Sequence, residues 1–196
     1  MEFLYEIDKA IFLFFNARLI HPVLDAVMTH ITHFKFWVIP GLAAAAVYVF
    51  RARDKRRAFA VLGLLVLAAG LSDLISAQIL KPAFARPRPC HPEFYVEGGR
   101  FLLGMRRALV SFPSSHSMNM FASATLLWCF YPKLWMYFFP FAALIAYSRV
   151  YVGVHYPADI FFGAVFGVGG VLAVRRIVLK YGRPRRIVAG AEINTE

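Results

Sequence analysis

The sequence predicts an all-α, multi-span transmembrane helical bundle of one domain, residues 1–196, and three observations lead to that expectation. Hydrophobic residues make up 60% of the chain and charged residues 17%, against roughly 45–50% and about 25% in soluble globular domains. Mean hydropathy is +0.59. The apolar residues gather into runs of helical length, and about 20 helical residues cross a bilayer core about 30 Å thick. The charge is lopsided, 22 Lys+Arg against 11 Asp+Glu for a net +11. In a chain this apolar, the excess points to lipid headgroups, the cytoplasmic leaflet or an anionic substrate, and no nucleic-acid partner is expected. The same composition excludes intrinsic disorder.

In chain order, residues 1–22 come first. The apolar IFLFF is bracketed by Asp8, Lys9, Asn16 and Arg18 within a distance too short to cross, which suits an amphipathic helix in the membrane interface. The first span is expected from Phe34 to Phe50, with an extension back toward Val23, and the second from Ala58 to Leu80. Three more follow, from Ser114 to Tyr131, Leu134 to Tyr147 and Ala158 to Val174. That makes five spans, or six if the first twenty residues also cross. No sequence repeat, low-complexity tract or long linker divides the chain. Cys90 and Cys129 read as free thiols, one in a polar loop and one in an apolar stretch. Acids at Glu2, Glu6 and Asp8 and the lack of a small-residue cleavage site argue against a cleaved signal peptide, so the mature protein is expected to be the whole chain.

Cations set the expected orientation. The turn carrying Arg51, Arg53, Lys55, Arg56 and Arg57 and the tail of residues 175–196, with Arg175, Arg176, Lys180, Arg183, Arg185 and Arg186, fall on one side of a five-span chain. Both read as cytoplasmic. The loop of residues 81–113 and the shorter one from Ser148 to Pro157 then face outward, toward the periplasm or exterior of a bacterial inner membrane. The longer loop nevertheless carries Lys81, Arg86, Arg88, Arg100, Arg106 and Arg107. Cations on the wrong side by that rule need another reason.

Three segments supply one. They are KPAFARPRP, in which Lys81 precedes Arg88-Pro89 by seven residues, FPSSH, from Phe112 to His116, and SRVYVGVHYPAD, with Arg149, His155 and Asp159. All three sit at helix ends facing the same compartment. Lys81, Arg88 and Arg149 suit the oxygens of a phosphoryl group, the two arginines through planar forks. A helix opening at Pro113-Ser114-Ser115 offers unpaired N–H groups and the positive end of a dipole. His116 and His155 bring acid, base or nucleophile chemistry near neutral pH. Asp159 follows His155 by one helical turn, so it can accept a hydrogen bond from one ring nitrogen and leave the other to attack. The nearby acids beyond Asp159 are Glu93 and Glu97, too few among so many cations for a catalytic metal, and no cofactor is expected.

The three segments resemble the signature of the type 2 phosphatidic acid phosphatase superfamily, K-x6-R-P, P-S-G-H and S-R-x5-H-x3-D, in its integral membrane branch. The match runs from Lys81 to Asp159 in the family's order and spacing. It departs at Ser115, where the family has glycine. The resemblance implies a phosphohistidine on His155 oriented by Asp159. His116 would protonate the leaving oxygen and then activate water. Lys81, Arg88, Ser114, Ser115 and Arg149 would hold the phosphate.

Taken singly, several of these residues have ordinary readings. Lys81 and Arg149 suit snorkelling cations and His116 a helix cap; their joint order and spacing favours one site. Asp73 is costly inside a span and is expected to face a partner in the bundle, with a supporting role beneath the site as an alternative. Gly163 and Gly167 suit close helix packing. Phe101 to Met105 suits either a headgroup cover or a plain surface loop. Arg86, Arg100, Arg106 and Arg107 remain as headgroup contacts.

The function expected is metal-independent hydrolysis of a lipid-linked phosphate or diphosphate. Candidate substrates are undecaprenyl diphosphate, phosphatidylglycerophosphate, phosphatidic acid and lipid A phosphate. Alternatives are a lipid phosphotransferase with the same intermediate, or a transporter or scaffold that uses the cations for binding only. A haloperoxidase reading gives the membrane spans no purpose.

Overall fold

The computed structural model describes residues 2–105 and 110–181. Arg106, Arg107, Arg183, Arg185 and Arg186 lie outside the described residues. The described residues form helices joined by turns and one long loop, with no strand among them.

Helix α1, Glu2–Leu13, runs into a π turn, Phe14–Arg18. Helix α2, Pro22–Ile31, starts at His21, whose Nδ1 accepts the Val23 N–H at 3.2 Å. The α1 segment and α2 meet at a bend of 116°. Helix α3, Phe34–Arg51, begins separately after Thr32 and His33, so the expected extension toward Val23 is instead α2. Asp54 caps α4, Lys55–Ile75, by accepting the Arg57 N–H at 3.0 Å. A π turn, Ser76–Leu80, and short α5, Lys81–Phe84, prolong α4 beyond the expected end at Leu80.

Helices α6, Ser115–Phe130, α7, Trp135–Tyr151, and α8, Pro157–Tyr181, complete the bundle. Ser148 and Arg149 therefore belong to the last turn of α7 and not to a loop. The runs Phe34–Arg51, Lys55–Phe84 and Pro157–Tyr181 are long and apolar enough to cross a membrane, and the bent α1–α2 pair meets the same criterion taken together. Helices α6 and α7, at 16 and 17 residues, are shorter than the about 20 a straight crossing needs.

Packing is tight at one end of the bundle and open along its flank. Phe34, Ile39 and Phe50 of α3 are 76%, 78% and 85% exposed, as expected of side chains that meet lipid. The buried core lies where α7 ends and the 86–105 loop folds back. Met28, Ile31, Cys90, Ile145, Tyr151, Val152 and Val154 form one cluster, and Phe12, Val96, Val150 and Tyr156 a second. Phe101, Leu102 and Leu103 pack against these clusters, so this stretch is core at its start rather than a free cover. Asn16, fully buried, ties the layers: its Nδ2 donates to the Arg100 and Tyr151 carbonyls at 2.9 and 2.8 Å, and its Oδ1 accepts the Arg100 N–H at 2.6 Å.

Helices α6 and α8 pack closest. A Cβ on Gly163 would lie 2.7 Å from the Ser114 carbonyl oxygen, and one on Gly167 would strike the Met118 carbonyl oxygen. The G-x-x-x-G pair thus joins two helices of one bundle. At the far end, the Tyr48 and Tyr131 hydroxyls pair at 2.5 Å, bringing the C-terminal ends of α3 and α6 together. The basic turn after Arg51 therefore lies at the end opposite the start of α6.

Candidate active site

The starts of α6 and α8 and the end of α7 bring the sequence segments together. Asp159, in the first turn of α8, accepts the Tyr156 N–H at Oδ2, 2.8 Å away, and its backbone carbonyl accepts the Ser114 N–H at 3.0 Å. His155 Nδ1 lies 3.3 Å from the same Asp159 Oδ2, with both side chains almost wholly buried. That contact favours the tautomer with its proton on Nδ1. Burial first, then the positive charges of Arg88, Arg149 and Lys81, hold the His155 imidazole well below its ordinary titration range, so it is neutral at pH 7.

The same three cations and His155 act electrostatically on His116 as well. Lys81 and Arg88 share a pocket of about 290 Å³ with Ala77, Pro82 and Val110. Arg88 Nε donates to the Val110 carbonyl at 3.3 Å. Arg149 is buried, and one of its terminal nitrogens donates to Thr32 Oγ1 at 2.6 Å and to the Thr32 carbonyl at 3.2 Å. Thr32 fixes one edge of the guanidinium from the joint between α2 and α3.

Ser114 caps α6, its Oγ accepting the Ser117 N–H at 3.5 Å. Ser115, the departure from the family glycine, shares a hydroxyl bond of 2.8 Å with Ser76 in the π turn after α4. Its hydroxyl thus joins α6 to α4. From His116 an apolar groove of about 860 Å³ descends among α3, α4, α6 and α7, past Trp37, Pro40, Gly41, Met120 and Phe141. Asp73 and Asn119 also line it. Asp73 therefore faces the groove beneath His116.

Two functional-site neighbours were not legible as such. Arg86, expected to touch headgroups, instead donates to Asp159 Oδ1 at 3.0 Å and to Asp8 Oδ2 at 2.6 Å. Asp8, read from sequence as a flank of an interfacial helix, is 7% exposed and turned inward. Arg100 is likewise engaged, donating to Asp25 at 2.5 Å. A lone acid in an apolar helix signals a buried partner, but not which one. Among the described residues, no three His, Cys, Asp or Glu side chains are grouped to hold a metal ion.

Fold and site together define a helical membrane protein with a histidine-bearing, cation-rich pocket at one end and an apolar groove leading from it. The chain belongs to the PAP2 superfamily, whose family model matches residues 58–183. Lipid A 4'-phosphatases of Bacteroides thetaiotaomicron and Porphyromonas gingivalis are 32% and 31% identical to it, over 85% and 86% of this chain and 75% and 71% of theirs. The crystal structure of the PAP2-type phosphatidylglycerolphosphate phosphatase from Bacillus subtilis is 26% identical, with a TM-score of 0.66 over 94% of this chain and 90% of that one. The protein is an integral membrane protein and a phosphoric monoester or diphosphate hydrolase.

Proposed function

We propose that the protein removes a phosphate from a membrane lipid without a metal, through a phosphohistidine on His155. The buried His155–Asp159 pair facing three cations carries this reading. Asp159 holds the Nδ1 proton, and Nε2 attacks phosphorus as the bond to the leaving oxygen breaks. His116 gives that oxygen a proton, then takes one from the water that hydrolyses the phosphorus–nitrogen bond. Lys81, Arg88 and Arg149 neutralise the phosphoryl oxygens, and Ser114 and Ser115 assist at the N-terminus of α6. Pre-placed charge of this kind is the main source of acceleration in phosphoryl transfer.

A lipid substrate suits the groove below His116, because hydrocarbon tails stay at membrane depth while the headgroup enters the basic pocket. Relatives that match most of this chain are named for the 4'-phosphate of lipid A, which makes it the leading substrate. Residues 1–196 act as one membrane-embedded domain, with the outer loop at the site. The basic residues after Arg51 face the cytoplasm, and the site opens to the periplasmic face of the inner membrane. The test is phosphate release by purified protein from a panel of the four lipid phosphates, with chelator present and with vanadate as inhibitor. Release without a divalent ion and block by vanadate are expected. A metal requirement would overturn the mechanism, and transfer to an added lipid acceptor in place of water would make the protein a phosphotransferase.

A further inference from the structure

Asp8 and Asp159 are separated by most of the chain, yet one guanidinium joins them. Arg86 Nη1 donates to Asp159 Oδ1 at 3.0 Å and Nη2 to Asp8 Oδ2 at 2.6 Å. The other oxygen of Asp8 accepts the Ala158 N–H at 2.8 Å, at the start of α8. The guanidinium carbon lies 3.9 Å from the centre of the Tyr156 ring, so the fork is held by two carboxylates and an aromatic face. The Ser111 N–H donates to the Arg86 carbonyl at 2.7 Å and fixes the backbone behind it.

We propose that Arg86 and Asp8 are positioning residues for the nucleophile: Arg86 takes one oxygen of Asp159 and so aims the other at His155, while Asp8 anchors Arg86 and offsets its charge. This rests on the hydrolase reading above. Asp159 has two equivalent oxygens and could rotate. With Oδ1 held by Arg86, Oδ2 is left to His155 Nδ1 and the Tyr156 N–H.

The charge balance gives Asp8 its part. An arginine paired with Asp159 alone would cancel the negative charge that must stabilise a cationic imidazole when Nε2 bonds to phosphorus. The other charges acting on His155 are Arg88, Arg149 and Lys81, all positive. With Asp8 added, the Asp8–Arg86–Asp159 group keeps a net negative charge beside the ring. Engaged in this way, Arg86 differs in role from the three cations assigned to the phosphate.

The test compares wild type with Asp8→Asn, Arg86→Gln and Arg86→Lys as purified full-length protein in detergent. Two readouts are used: steady-state phosphate release from lipid A, and the ¹⁵N-histidine NMR spectrum, with His155 assigned through His155→Ala. Asp8→Asn is the deciding variant because it is nearly isosteric and leaves the fold least disturbed. Expected for Asp8→Asn and Arg86→Gln is a kcat lower by roughly tenfold to a hundredfold, with KM within about twofold. His155 should also lose its single Nδ1–H tautomer, and Arg86→Lys should recover part of kcat. A raised KM with unchanged kcat would make Arg86 a substrate contact and overturn the proposal. So would a lower kcat with the tautomer intact, which is plain destabilisation. If wild type releases no phosphate from any of the four lipid phosphates, the hydrolase reading fails, and the NMR spectra still decide whether Asp8 and Arg86 orient His155.

Discussion

Ser76 and Ser115 share a buried hydroxyl bond of 2.8 Å between the π turn after α4 and the first turn of α6. Where the family pattern has glycine, this chain thus has a tie between two helices that carry site residues. Removing one partner leaves the other hydroxyl buried and unsatisfied, which costs about 1–3 kcal/mol. Ser76→Ala and Ser115→Ala should therefore each lower the unfolding midpoint in detergent. The double variant should lose less than the sum of the two. Additive losses would show that the hydroxyls do not depend on each other.

Chemistry at the His155–Asp159 pair predicts unequal losses. His155→Ala removes the proposed nucleophile and should abolish phosphate release. Asp159→Asn keeps the shape but loses the charge and the tautomer preference, and kcat should fall on the order of a thousandfold or more. Near-normal turnover in either purified variant would sink the assignment.

The depressed titration of His155 has a definite sign. A histidine with a lowered folded-state value stays neutral as pH falls through about 6.5. The groups that act on it are Asp159, Arg88, Arg149, Lys81, His116 and the Ser111 backbone. The His155 ¹⁵N shifts should accordingly show no imidazole protonation between pH 7.5 and about 6. Below that range the contribution of His155 to folding should fall, because the unfolded chain binds a proton that the buried ring refuses. A His155 midpoint at or above 6.5 would contradict the burial argument.

Thr32 makes a sharper kinetic prediction than its position suggests. Thr32→Val removes the hydroxyl acceptor of Arg149 and keeps the volume. A hydrogen bond to a charged group contributes about 1.5–3 kcal/mol, so kcat/KM should fall by about tenfold. Unchanged kcat/KM would mean that Arg149 does not depend on that support.

Much of the site was legible because its residues lie in short segments whose internal spacing is set by helix geometry. His155 and Asp159 are one turn apart, and the α6 cap is read directly from Pro113-Ser114-Ser115. Helix ends were less legible: α7 runs to Tyr151 and α8 to Tyr181, past the points where the apolar runs stop. At the end of α7, Arg149 is held by Thr32.

The sequence by itself determined the all-helical membrane class, the family and the three cations that gather around His155, since composition, run length and local spacing carry all three. Only the tertiary structure decided which of the remaining charges belong to the site. Arg86 meets Asp159 across 73 residues, and Asp8 meets Arg86 and Ala158 across 78 and 150. No local period encodes such a contact; it exists because α1 folds against the start of α8, where a buried carboxylate is stable only beside a cation.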